Sequence, residues 1–167
     1  QLAEEILRGP APASLKTSVK AILERARLIG EPLRIKFTAT NGRKIDTARM
    51  KGKVILLDFW ASWSAPSISQ LGKLEKIYAD YADKSVEILE ISFDHERRSL
   101  DAIAAHRKIP WPQHFDQGTK GKTLREVLGV KRIPSLWLID KQGILRDTNA
   151  SRDLEKQLDL LLAEPAK

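Results

Sequence analysis

Apolar side chains recur at Leu15, Val19, Ile22, Leu23 and Ala26, three and four residues apart, and Gly30 closes the run. That spacing predicts an amphipathic helix over Ala13 to Ile29. Pro10 and Pro12 set it apart from a short leading helical segment, Leu2 to Leu7. The period then changes. Leu33-Arg-Ile-Lys-Phe37 alternates, Asn41-Gly42 supplies a tight turn, and Lys44-Ile-Asp46 returns, which predicts a hairpin. Lys53 to Trp60 is almost continuously apolar after Gly52, as in a central strand covered on both faces, and Asp58 is its one interior charge.

Beyond Trp60 the chain alternates between the two periods. A helix is predicted from Pro66 to Ala82, with Ile68, Leu71, Leu74, Ile77, Tyr78 and Tyr81 on its inner face. Val86 to Phe93 reads as a second buried strand, Glu96 to Lys108 as a helix, and Trp111 to Phe115 as a short strand. Thr123 to Leu128 is a further helix, stopped by Gly129. Ile133 to Asp140 and Ile144 to Asp147 form two strands about the turn Lys141-Gln-Gly143. Ser151 to Ala163 is a last helix, with Ser151 and Asp153 as its expected caps. Strands alternating with helices give an α/β fold: a central mixed sheet with parallel crossovers and flanking helices, ending in an antiparallel hairpin. Residues 1–30 are expected to be a helical extension docked on a domain of residues 31–167.

With 167 residues, 42% of them apolar, the chain has enough material for one domain with a real core and too little for two. No apolar run approaches the ~20 residues of a membrane-crossing helix. Gln1 to Glu5 has neither the basic region nor the apolar core of a signal peptide. The opening on Gln rather than Met points to trimming of a tag, a leader or a larger precursor. The formal charge of +7 is dispersed. Its clusters, Lys51-Gly-Lys53, Arg97-Arg98 and Lys131-Arg132, are short and lack interleaved aromatics, so a solvated basic surface accounts for them and nucleic acid is not an expected partner. There are no cysteines, which excludes disulfides, thiolate metal sites and thiol nucleophiles.

At the end of the central strand stands Asp58-Phe59-Trp60-Ala61-Ser62-Trp63-Ser64-Ala65-Pro66-Ser67, opening directly into a helix. This stretch resembles the active-site segment of thioredoxin-like proteins, with serine at both cysteine positions of their W-C-x-P-C motif. Ile133-Pro134 is similar to the loop that carries the family's cis-proline opposite the redox pair. Gly52 to Ala61, Ile91-Ser-Phe-Asp94, Ile109-Pro-Trp-Pro112 and Leu138 to Gly143 extend the resemblance, over about Gly30 to Leu162, to the TlpA-like redoxin branch, which inserts an extra helix and strand.

In that branch a thiol at a helix N-terminus is ionised by unpaired amides and the helix dipole and attacks a disulfide, and a second thiol one turn on resolves the mixed disulfide. The resemblance puts Ser64 in the attacking position and Ser67 in the resolving one. Neither alcohol can perform the step, because it ionises far less readily than a thiol and forms no stable disulfide. Asp58 matches the family's buried acid; read by itself it is equally a strand-end carboxylate satisfied by water or lysine. Trp60, Trp63, Ala65, Pro66, Ile133 and Pro134 are the expected groove, with Trp60, Trp63 and Trp111 along an exposed apolar lip and Trp137 buried. Gln70 and Gly72 stand where the family often has Glu and Pro. That wider divergence tilts the origin of the serines toward natural loss, although Cys→Ser is also the swap chosen to trap a complex or block oxidation.

Rival chemistries fit poorly. A peroxiredoxin-like thiol and its P-x-x-x-T-x-x-C setting are absent, and so is the Gly-x-Ser-x-Gly elbow of a serine hydrolase. His95, His106 and His114 read as surface or helix residues, and Asp94-His95-Glu96 as a solvated loop without metal-ligand spacing, so neither metal nor cofactor is expected. Two classes stay open: a thiol-disulfide oxidoreductase seen with serine in place of its thiols, and a binding module that holds a partner segment in the cis-proline groove. Both imply a protein or peptide partner. The resemblance also implies a periplasmic or otherwise exported location.

Overall fold

Val54–Trp60 has no exposed side chain along its seven residues, and the rest of the chain is laid around it. The computed structural model describes residues 2–117 and 121–165. The elements, in order, are α1 (Leu2–Arg8), α2 (Ala13–Leu28), β1 (Lys36–Thr38), β2 (Lys44–Asp46), β3 (Val54–Trp60), α3 (Ala65–Tyr81), β4 (Val86–Ser92), α4 (Arg97–Arg107), β5 (Gln113–Phe115), α5 (Leu124–Val127), β6 (Ser135–Ile139), β7 (Leu145–Asp147) and α6 (Leu154–Ala163). Five strands form one mixed sheet in the order β5-β4-β3-β6-β7. β3, β4 and β5 run parallel, while β6 and β7 are antiparallel to their neighbours. This is the α/β architecture with flanking helices that the hydrophobic pattern implied.

The period of two in β3 sorts its side chains between two cores. Val54 and Leu56 face Leu74 and Ile77 of α3 and Leu154, Leu158 and Leu161 of α6. Trp60 packs on the same side, with Leu71 of α3 and Leu100 of α4. Ile55, Leu57 and Phe59 point the other way, onto Phe37, Ile45, Leu128, Val130 and Trp137. The second face is therefore closed largely by the hairpin and the loop before β6, with Leu28 at the end of α2 packed alongside.

Three local readings change. Strand β1 begins at Lys36 rather than Leu33, because the Thr47 hydroxyl takes the place of a ladder partner: it accepts from the Ile35 amide at 3.0 Å and donates to the Leu33 carbonyl at 3.0 Å. Helix α6 begins at Leu154, and neither expected cap works as one. Asp153 adopts the left-handed conformation with no side-chain capping bond, and Ser151 spends its hydroxyl on Gln70. On α2, Val19 is buried, but Leu15 and Ile22 remain exposed, so the predicted apolar face is only partly covered.

Candidate functional site

Helix α3 starts where β3 ends, and Ser64 is its N-cap, with extended backbone and an Oγ that accepts from the Ser67 amide at 3.4 Å. Pro66 fits here because the first turn needs no amide donor from it. Ser64 retains 8% of its surface and Ser67 none. The two hydroxyls thus lie one turn apart at the positive end of a 17-residue helix, where a thiolate would be favoured and an alkoxide still would not form. The Ser67 Oγ has no hydrogen-bond partner.

The segment between β3 and α3 is pinned from β4's end. Asp94, fully buried, accepts from the Ser62 amide at 2.9 Å, the Ser62 hydroxyl at 2.7 Å and the Ser92 hydroxyl at 2.8 Å. Asp94 is therefore a structural carboxylate and not part of a solvated run. With the loop held, Trp63 is turned outward, 60% exposed, and stacks on His95 with the rings 11° from parallel. Trp60 and Trp111 do not join it in a lip: Trp60 is fully buried under α3 and α4, and Trp111 packs against Tyr78. Both faces of β3 are covered, so Trp60 is enclosed on whichever side it falls.

The peptide bond Ile133–Pro134 is cis. Antiparallel pairing of β3 with β6 ends with Phe59 opposite Ser135, the residue that follows Pro134 in the chain. Ile133 and Pro134 are half-buried. None of His95, His106 and His114 is bonded to Ser64 among the described residues, and His114 instead contacts the Thr38 carbonyl at 3.0 Å. No cluster of His, Asp and Glu able to hold a metal ion occurs among the described residues. A cleft of about 470 Å³ over the hairpin lies away from this site.

Beneath the serines is an acidic pair. Asp58 is fully buried, and its Oδ1 accepts from Gln70 Nε2 at 2.6 Å; Gln70 Oε1 in turn accepts from Ser151 Oγ at 3.1 Å. Parallel pairing places Glu90 of β4 directly beside Asp58, and Gln113 Nε2 donates to Glu90 Oε2 at 2.6 Å. Burial pushes the Asp58 carboxyl up to about 7, against a lowering by Gln70. Burial, and then the neighbouring Asp58 charge, raises the Glu90 carboxyl well above the usual range. The reading of Asp58 as a solvated strand-end group is set aside by its complete burial. Glu90 escaped the sequence reading. Its signal was a charge inside an apolar run, but Glu87 sits in the same run, half-buried between Lys53 and Arg43, and only register tells the two apart.

A family model described as AhpC/TSA matches residues 29–148. The chain belongs to the AhpC/TSA family. Within it, the chain is 26% identical over 154 residues to the thiol-disulfide oxidoreductase ResA of Bacillus cereus, covering 92% of this chain and 87% of that one. It is 28% identical over 127 residues to the thioredoxin-like protein YneN of Bacillus subtilis, covering 72% of each. Among solved structures, a thioredoxin-like protein from Bacteroides vulgatus superposes with a TM-score of 0.67 at 25% identity, over 78% of this chain and 86% of the other. The thioredoxin domain of a thiol-disulfide oxidoreductase from the same organism does so with a TM-score of 0.71 at 22% identity, over 80% and 97%. The fold is thus that of thioredoxin-like proteins. The chain is a relative of thiol-disulfide oxidoreductases that has no thiol with which to exchange electrons.

Proposed function

We propose that this protein keeps the partner-holding groove of the thiol-disulfide oxidoreductases while carrying out no dithiol exchange, with Ser64 and Ser67 standing in the two redox positions and Asp58 in that of the buried acid. The observation that carries this reading is the pair of serines one turn apart at the N-terminus of α3, in a scaffold otherwise intact. A partner segment lies along Trp63, Ala65 and Pro66 on one side and Ile133 and Pro134 on the other, paired through backbone groups beside the cis peptide as an added strand would be. Trp60 supports the floor from below. The names of the relatives point to protein disulfides and thiols as the ancestral partners, and to the exported setting such chemistry requires. Residues 1–30 form the extension and 31–167 the domain that holds the groove.

The test is an insulin-reduction assay with dithiothreitol as reductant. The chain as it stands is expected to give no acceleration, and Ser64→Cys with Ser67→Cys is expected to give a clear one. A folded double variant without activity removes the assignment of these positions, and turnover by the serine chain removes the claim of redox silence. Gln70 favours natural loss of the thiols over a substitution made for study, since it links Asp58 to Ser151 through a neutral amide and so fits a site that no longer handles thiol protons. Reading the genomic codons for residues 64 and 67 decides that point.

A further inference from the structure

Five carboxyl side chains are buried among the described residues, and three of them have both oxygens satisfied. Asp94 takes the Ser62 and Ser92 donors, Asp116 accepts from the Leu124 and Arg125 amides at 2.8 Å each, and Asp140 accepts from the Gln142 and Ile144 amides and from Arg146. Asp58 and Glu90 are the other two, and each has a single donor, a glutamine amide on one oxygen. Asp58 Oδ2 and Glu90 Oε1 have no hydrogen-bond partner. The two residues are ladder neighbours on parallel strands, about 5 Å apart at the backbone and on one face of the sheet. Gln113 Oε1 is an orphan acceptor as well, and Trp111 Nε1 lies toward Glu90 without closing a hydrogen bond. No cation is paired with either carboxyl among the described residues. The ionisable groups around them are Glu75 of α3, whose charge acts on Glu90 and which Arg107 of α4 holds at 2.9 Å, and Tyr78 of α3, packed on Trp111. Lys73, Asp153 and Glu155 line, with Gln70, a cleft of about 200 Å³ between α3 and α6.

We infer that Asp58 and Glu90 hold one proton between them, as a buried acid–carboxylate pair that fastens β3 to β4 beneath α3 and comes apart when the proton leaves. A carboxylate can only accept, so two of them side by side with no cation between them neither satisfy one another nor lower one another's charge. One proton removes both faults. The O–H of one acid donates to the orphan oxygen of the other, and the pair carries a single negative charge. Loss of that proton to solvent leaves two carboxylates in an apolar site, and their repulsion is relieved by movement of Asp58 and its Gln70 partner toward the cleft between α3 and α6. The N-terminal half of α3, with Ser64 and Ser67 at its head, then loosens from the sheet. A separate water on each orphan oxygen satisfies the same atoms but leaves the two groups to titrate independently. The inference stands apart from the question of what the groove holds.

NMR of the isotope-labelled chain tests this by following the side-chain carboxyl signals of Asp58 and Glu90 and the backbone amide signals of residues 67–74 as the pH is raised from the acid to the alkaline side of neutrality. In the unaltered chain each carboxyl is expected to move in two steps shared with the other, and the amides to follow the upper step. Asp58→Asn keeps an oxygen for Gln70, and Glu90→Gln keeps one for Gln113. Each should turn the surviving acid's curve into a single step, about one pH unit or more below the parent's upper step, with the amide response at that upper step gone. Single steps unmoved by replacement of the neighbour overturn the shared proton and assign the orphan oxygens to separate waters. Ionisation of both groups in the ordinary carboxylate range overturns it as well. Coupled carboxyls with silent amides overturn the loosening of α3. Circular dichroism verifies the folding of both variants, and if either fails to fold, the two-step or one-step form of the parent's own curves decides.

Discussion

Ser64 and Ser67 share a chemistry and differ in circumstance, which separates their expected mutational effects. Ser64 caps α3, so Ser64→Ala should cost up to about 1 kcal/mol, toward the low end because its bond to the Ser67 amide is long at 3.4 Å. Ser67 buries a hydroxyl without a partner, so Ser67→Ala should stabilise by about 1 kcal/mol. Urea midpoints check both, and a loss at Ser67→Ala would show that its hydroxyl is satisfied. Asp58 makes a separate prediction. Its carboxyl is raised to about 7 in the folded chain, while the unfolded chain ionises it near the ordinary value of 3.8. The unfolded state therefore releases the proton first, and stability falls as pH climbs from about 4 through 7, by roughly 4 kcal/mol at most. Glu90, raised in the same direction, adds to the decline. Asp58→Asn keeps an oxygen for Gln70 and should flatten the pH profile measured by urea unfolding between these limits; parallel profiles for variant and parent would refute the assignment.

At the scale of elements, the decisive device is the strap between β4 and the segment leading into α3. Three hydrogen bonds converge on the buried Asp94 carboxylate from Ser62 and Ser92, and they hold the turn that aims Trp63 outward. Asp94→Ala leaves those donors unpaired, with an expected loss of about 3 kcal/mol and a red-shifted or more quenchable Trp63 emission. Asp94→Asn, which preserves shape and can still accept, should recover part of both. Helix identities were readable from periodicity, because the facing side chains of α3 and α6 declare themselves at three and four residues. Their ends were not. The Thr47 hydroxyl shortens β1 from across the sheet, and Ser151 leaves the start of α6 to meet Gln70 on α3. Long-range partners of this kind leave no trace in local sequence.

Over the whole molecule, the N-terminal segment is the loosest attachment. No residue of α1 is buried, whereas Leu28 of α2 packs on the domain, and Gly30 and Glu31 bond the two backbone groups of Leu145. Removal of residues 1–12 should shift Tm by no more than about 2 °C, and removal through residue 30 by clearly more, as differential scanning calorimetry can read. By itself the sequence determined the order and type of the elements, the double-sided burial of β3 and the absence of any thiol, because each depends on residue type and on spacing along one stretch of chain. Which tryptophan faces solvent and which of two glutamates sits beside Asp58 were settled only by tertiary structure. These follow from strand register and from how segments distant along the chain are set against one another, and register is a property of pairs of segments that neither member encodes alone.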